Sequence, residues 1–279
     1  MLNKVLAAYN IAVCLAAEPN PPTWDTKRVK IFTPGQAGAQ AELDAIAKSQ
    51  GGHDPAWHGQ WSDDRYALMF APGKHDVNVD VGYYTTVHGL GKTPMDTKIG
   101  NVMAQNGDFN FTGGALANFW RGAENFEISP AEGTPMLWAV SQAAPLRRVK
   151  VNGNLQLFQY NPGNPAAGYA SGGFIADMDV AGHVVPGSQQ QFMNRNVDMT
   201  GYDGGVWNMV FAGSTGAPES HCSNQDGVPI TNEKVAPVVV EKPYIVMDGS
   251  NFKLMVPRAE FNKVGHTPGF ENADEIDFD

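Results

Sequence analysis

Cysteine is nearly absent: Cys14 and Cys222 are the only two in 279 residues. Two thiols cannot build a disulfide framework, and they leave a cysteine-based zinc site without ligands. Charge is sparse as well, at 17% of residues, and it runs acidic. With 19 Lys+Arg against 29 Asp+Glu, the net charge is −10. Clustered basic residues are missing, which excludes a nucleic-acid interface and disfavours an anionic membrane surface. No apolar run is long enough to span a bilayer. Helical periodicity is missing over most of the chain, so a helical bundle is out. Familiar catalytic signatures are missing too. The 7 histidines show no HExxH or HxH spacing. Gly213-Ser214-Thr215-Gly216 lacks the frame of a nucleophile elbow, and Gly91-Lys92 has no phosphate-loop glycines before it.

What remains is a turn-rich chain with enough apolar residues, 42%, for a substantial core. Glycine (31) and proline (19) punctuate short β-rich runs. Among these are Tyr66–Phe70, Val77–Val81, Tyr83–Val87, Phe126–Ile128, Arg148–Val151, Leu155–Tyr160, Phe174–Val180, Gln190–Val197, Val206–Phe211, Tyr244–Met247 and Phe252–Val256. One helix is predicted, over Gln36–Lys48, where Ala37, Ala41, Leu43, Ile46 and Ala47 form a modest apolar stripe. Runs starting at Phe174, Gln190 and Val206 are 16 residues apart. Irregular repeats of this size without intervening helices suit a solenoid, in which each coil buries its apolar face against the next. The expected class is all-β, a single-stranded right-handed parallel β-helix with one short N-terminal helix; an antiparallel sandwich is the alternative. Lys4 followed by the apolar run Val5–Ala17 reads as an export leader over 1–17, implying a secreted protein. Residues 18–258 form the expected β-helix domain, and 259–279 an acidic tail or a linker to a second β-helix.

Several longer motifs carry a resemblance. Phe32-Thr33-Pro34-Gly35, Arg65 to Gly73 and Val81 to Gly91 form the front; Asn118-Phe119-Trp120-Arg121-Gly122-Ala123-Glu124-Asn125 and Trp138 to Arg148 form the middle. Ser171 to Asp177, Gly187 to Phe192 and Val206 to Phe211 complete the set. Together they resemble the secreted pectin-lyase-like β-helix proteins of actinobacteria and fungi, often labelled adenylyl cyclase although no cyclase site is present. The architecture is similar to the tandem β-helix exo-β-1,3-glucanases, in which the active cleft lies where two β-helices meet. The resemblance implies a parallel β-helix acting on extracellular polysaccharide, with a second β-helix domain or subunit as a partner.

Candidate chemistry follows from strand alternation. With Phe174, Ala176, Met178 and Val180 inward, Asp177 and Asp179 point outward together, about 6.5–7 Å apart. Two carboxylates facing one groove supply the acid and the base or nucleophile of glycosidic cleavage. Solvated surface aspartates or a calcium pair are the competing readings; no other metal site and no resident cofactor are expected. Glu124 is the reserve acid, with an Arg121 ion pair as its plainer role. Gln189, Gln190, Gln191, Arg195, Trp207 and Asn208 form the expected substrate-binding surface. Asn194, Asn196 and Asn208 fit an internal asparagine ladder equally well, whereas Trp120 and Trp138 read as core or coil-stacking residues. The acidic balance repels uronate polymers, so a neutral glucan is the expected substrate of a glycoside hydrolase. The alternatives are a non-catalytic glycan-binding or structural module, and a polysaccharide lyase using Asp177, Asp179 and Arg195.

Overall fold

In the computed structural model, residues 19–51, 59–106, 114–161, 166–222 and 227–277 are described. The expected leader over 1–17, with Cys14, lies outside them. The main sheet stacks β1 (Val29–Phe32), β2 (Tyr66–Phe70), β4 (Thr85–Gly89), β6 (Gly122–Ile128), β8 (Leu146–Val151), β10 (Gly173–Val180), β12 (Gln191–Asp198), β14 (Asn208–Ala212) and β15 (Ile230–Glu233), all parallel. A second sheet stacks β7 (Met136–Leu137), β9 (Leu155–Gln156), β11 (His183–Gly187) and β13 (Gly201–Gly204), each following its main-sheet strand in the chain. Strands β3 (Gly73–Asp80) and β5 (Thr97–Met103) pair beside the first coils. This is the parallel β-helix expected from the sequence.

Register explains why so short a strand is stable here. Leu68, Val87, Ala123, Leu146, Ile175, Asn194 and Phe211 fall on one interior row, each paired with the next. No single coil can bury this row, but stacking at about 4.8 Å makes the core continuous. Helix α1 (Ala39–Ser49) closes the first end: Ala39, Leu43 and Ile46 pack with Phe32 and Phe70. It lies where the apolar stripe predicts it, shifted by a few residues.

Strand alternation fails at one column. Asn125, Arg148, Asp177 and Asn196 hold left-handed φ values of 62°, 50°, 52° and 52°, and Gly213 follows at 62°. The registers align them on successive coils, so the sheet bends there along a line. The bend shifts the side-chain phase by one. Ile175, Met178 and Val180 are in the core, while Phe174 faces out, which corrects the inward set expected for this run. Gly89 opens the same column. A Cβ there would sit 1.8 Å from the Asn125 carbonyl oxygen, and the Asn125 amide donates to the Gly89 and Gly91 carbonyls at 2.8 and 2.7 Å. Gly89→Ala is expected to lower stability by about 2 kcal/mol through backbone overpacking, read as a lower urea midpoint at unchanged slope.

The last part of the chain returns along the outside of the solenoid. β16 (Ala236–Val239) and β19 (Glu260–Lys263) form an antiparallel ribbon, and β17 (Tyr244–Asp248), β18 (Asn251–Pro257) and β20 (Ala273–Asp277) form a three-stranded sheet. Phe252 of β18 is buried against Met69 and Leu90 on the outer face of the first coils. Residues 259–277, expected as a tail or linker, are therefore built into the domain. Their acidic side chains are matched across the sheet, Glu275 with Lys92 and Lys253, Asp274 with Arg258.

Candidate functional site

Three outward rows run along the main sheet, two residues apart on each strand. The middle row, Ala67–Thr86–Gly122–Pro145–Phe174–Met193–Val210, is nearly all apolar. One flank begins with Arg65, Tyr84 and Trp120, thins to Ala143 and Gly172, and ends with Gln191 and Asn208. The other flank is charged: His88, Glu124, Arg147 and Arg195 sit at equivalent positions, with Ala176 between the two arginines. A groove of about 690 Å³ follows these rows across β8, β10, β12 and β14. Phe174, Met193, Val210 and Pro145 line its apolar part, and Gln142, Gln191, Asn208 and Arg147 supply polar groups.

The segment linking β16 to β17 lies over the charged row like a strap. The Arg195 Nη2 donates to both Glu241 carboxylate oxygens at 2.8 Å, and Arg147 approaches the same carboxylate at 3.8 Å. Both guanidinium groups also stand over the Phe174 ring, at 5.4 and 4.6 Å from its centroid. Arg195, expected to contact sugar, is thus a rim residue held by Glu241. Lys242 of the strap reaches Glu124 at 2.7 and 2.9 Å. His88 closes on the same carboxylate at 2.8 Å, and its other ring nitrogen lies 2.8 Å from the Thr86 hydroxyl. Burial pushes the Glu124 carboxyl up, but the hydrogen bonds and charges of His88 and Lys242 outweigh it and hold the group at about 2. A carboxyl so held carries no proton at neutral pH, so Glu124 does not serve as the reserve acid. Arg121, its expected ion-pair partner, bonds backbone carbonyls instead.

The two aspartates do not share a groove. Asp177 sits in the bend column, fully buried. It takes a salt bridge from Arg148 at 3.4 Å and one from Lys263 at 3.2 Å, and accepts the Thr267 backbone N–H at 2.6 Å. Left-handed backbone at Asp177 turns the side chain inward, which strand alternation could not anticipate. Asp179 faces out beyond the bend and pairs with Lys150, away from the groove. Each aspartate faces a cationic side chain rather than the other, so they form neither an acid–base pair nor a calcium pair. Among the described residues no group of three His, Cys, Asp or Glu side chains is arranged to hold a metal.

The glutamine run divides. Gln189 is buried; its amide donates to the Val140 and Leu157 carbonyls at 2.8 and 2.6 Å and accepts the Gly172 N–H at 2.7 Å. It is a structural crosslink between coils, not a sugar contact. Gln190 is half-buried, and its carbonyl accepts the N–H groups of Trp207 and Asn208 at 3.1 and 2.9 Å. Gln191 and Asn208 are exposed neighbours in register on the groove wall, and Trp207 is 52% exposed at its mouth. Asn194 and Asn196 are buried and donate to the Val210 and Gly213 carbonyls, as an internal ladder would. Trp138 is in the core. Sequence reasoning missed Phe174, His88, Glu241 and Lys242; the first was hidden by the phase shift, the others by contacts across 36 to 118 positions.

No protein-family model matches the chain. It is 41% identical over 243 residues to an exo-β-1,3-glucanase of Streptomyces sp. SirexAA-E, a match covering 86% of this chain and 37% of that enzyme. The solved structure of sacteLam55A from the same organism superposes with a TM-score of 0.77 at 37% identity, over 93% of this chain and 44% of that one. A glucose complex of a variant of sacteLam55A gives the same TM-score at 38% identity. The chain spans less than half the length of these relatives. Its coils, bends and outer groove are therefore those of a homologue of one part of a Streptomyces exo-β-1,3-glucanase of β-helix architecture.

Proposed function

We propose that the chain is a β-1,3-glucan-active glycoside hydrolase domain that supplies the glucan-binding wall of a cleft. The carrying observation is the groove whose apolar floor of Phe174, Met193 and Val210 is edged by the amides of Gln191 and Asn208. Apolar surface suits the C–H face of a pyranose, and amides hydrogen-bond its hydroxyls. A net charge of −10 favours a neutral polymer over a uronate. Homology to an exo-β-1,3-glucanase supports the same substrate class.

Among the described residues no carboxylate lines this groove, and Asp177, Asp179 and Glu124 are each paired with cations. The bond-breaking carboxylates are accordingly assigned to a second β-helix facing the groove. A seat for it exists on the ribbon beside the strap, where Val238, Val240 and Phe261 are 60%, 61% and 69% exposed. A lyase reading is weaker, since Asp177 is locked onto Arg148 and Lys263. Export remains part of the proposal, resting on the apolar run after Lys4.

Calorimetric titration with β-1,3-linked glucose oligosaccharides and with oligogalacturonate tests the reading. Binding of the neutral series only, weakened roughly tenfold by Gln191→Ala with Asn208→Ala, is the expected result. Preference for the uronate, or no binding of either, would refute it. Reducing-end release by this chain alone would refute the assignment of the carboxylates to a second body.

A further inference from the structure

A second hollow, of about 530 Å³, lies at the N-terminal end of the groove and shares Ala143 with it. Arg65, Tyr84 and Trp120 occupy one position on successive coils: the Tyr66 N–H bonds the Tyr84 carbonyl at 3.0 Å, Tyr84 bonds Trp120 at 2.6 Å, and Arg121 bonds Ala143 at 3.2 Å. Their side chains form a stack. The Arg65 guanidinium stands 3.6 Å from the Tyr84 ring centroid, and the Tyr84 and Trp120 rings lie 5.4 Å apart and 5° from parallel. The Tyr84 hydroxyl donates to the Gln60 carbonyl at 2.8 Å, which fixes that ring. After Trp120 the column offers only Ala143 and then Gly172. The stack therefore ends on the Trp120 indole, which lines the hollow, with the Phe119 and Tyr83 rings tilted to it at 5.5 and 6.3 Å.

Three further features mark the place. Tyr84, Trp120 and Ala143 hold φ values of 54°, 50° and 50°, a conformation uncommon in non-glycine residues and often concentrated at ligand-contacting sites. Trp61, 79% exposed, stands 5.8 Å from Trp120 at an interplanar angle of 54°. Arg65 is exposed and also lines the hollow, its guanidinium at the far end of the stack. A hollow lined by an aromatic ring and carrying a guanidinium suits a pyranose, apolar on its faces and polar at its edge.

We propose that Trp120, backed by Tyr84 and flanked by Trp61, is a distal glucan subsite on which a sugar ring of the bound chain stacks. The proposal rests on the glucan-binding reading above and extends it by naming where the polymer continues. Ala143 and Gly172 separate Trp120 from Gln191, so the two contacts are three coils apart, about 14 Å at the usual strand spacing. A disaccharide reaches one of them, and a longer chain spans both.

Calorimetric titration of the wild-type chain with β-1,3-linked glucose disaccharide and hexasaccharide separates the outcomes. Trp120→Ala is expected to weaken the hexasaccharide about tenfold and leave the disaccharide, held at Gln191 and Asn208, unchanged. Trp120→Phe recovers most of the loss, and Trp61→Ala, at a position too exposed to disturb folding, gives a smaller loss in the same direction. If hexasaccharide affinity is unchanged in folded Trp120→Ala and Trp61→Ala while Gln191→Ala still weakens it, the subsite is wrong and the glucan reading stands. If the wild type binds neither oligosaccharide, both fall.

Discussion

Asp177→Ala is expected to destabilise the protein by about 3–5 kcal/mol, enough to threaten folding. The carboxylate is the shared partner of Arg148 and Lys263, whose side chains are only 5% and 4% exposed. Removing it leaves Arg148 buried without a counter-charge and Lys263 with Glu260 as its remaining acidic partner, which costs far more than the pair contributes when intact. It also releases the Thr267 N–H and the docking of β19 and Phe270 against the bend, where the Arg148 guanidinium donates to the Phe270 carbonyl at 3.1 Å. Asp177→Asn keeps the shape and the left-handed backbone but not the charge, so it falls between the two. Asp179→Ala is the control. Its pair with Lys150 is about one quarter exposed on both sides and contributes at most about 1 kcal/mol. Urea unfolding of the three variants measures this directly. An Asp177→Ala domain as stable as the wild type would show that this carboxylate does not hold β19 and Phe270 against the bend.

Acid should expose the second large effect. The Glu124 carboxyl, normally near 4.5, is held at about 2 in the folded protein. Burial acts in the other direction, so the contacts from His88 and Lys242 more than offset it. A depressed carboxyl adds stability that is fully present above its unfolded value and is lost as pH falls through the folded one. A difference of two to three units corresponds to about 3 kcal/mol, present at pH 6 and gone near pH 2. Glu124→Gln should therefore be less stable than wild type at neutral pH, with the gap closing as pH drops from 5 to 2. Comparing the two proteins cancels other acidic groups such as Asp198, also held low by His266 and Thr215. A gap that stays constant across that range would show that the carboxylate is not held by charge.

Much of the fold was readable from residues alone. Short β-rich runs at 16-residue spacing pointed to stacked coils, and the one apolar stripe at helical period is the helix that closes the core. Both signals are local, since each depends only on which residues lie within a few positions of one another. Side-chain direction past the bend was not local. Asn125, Asp177 and Asn196 are types that tolerate the left-handed region and Arg148 is not, so the neighbouring coils impose that backbone as well as the residues themselves. The resulting phase shift turned Phe174 outward and Asp177 inward, and so moved the candidate site from carboxylates to an apolar groove.

The acidic end of the chain was misread for a related reason. Glu271 to Asp277 resembles a solvated tail until β18 is placed beside it, with Lys253 opposite Asp277 and within reach of Glu275. The same holds for Glu124, whose neighbours at positions 88 and 242 no window of sequence could bring together. By itself the sequence determined the class of fold, the repeat that builds it and a charge suited to neutral polymer. Only tertiary structure decided which polar side chains reach the groove and which are spent holding coils and strap together. Burial and ion pairing depend on contacts between coils and across the returning strap, and those contacts are set by three-dimensional register rather than by order along the chain.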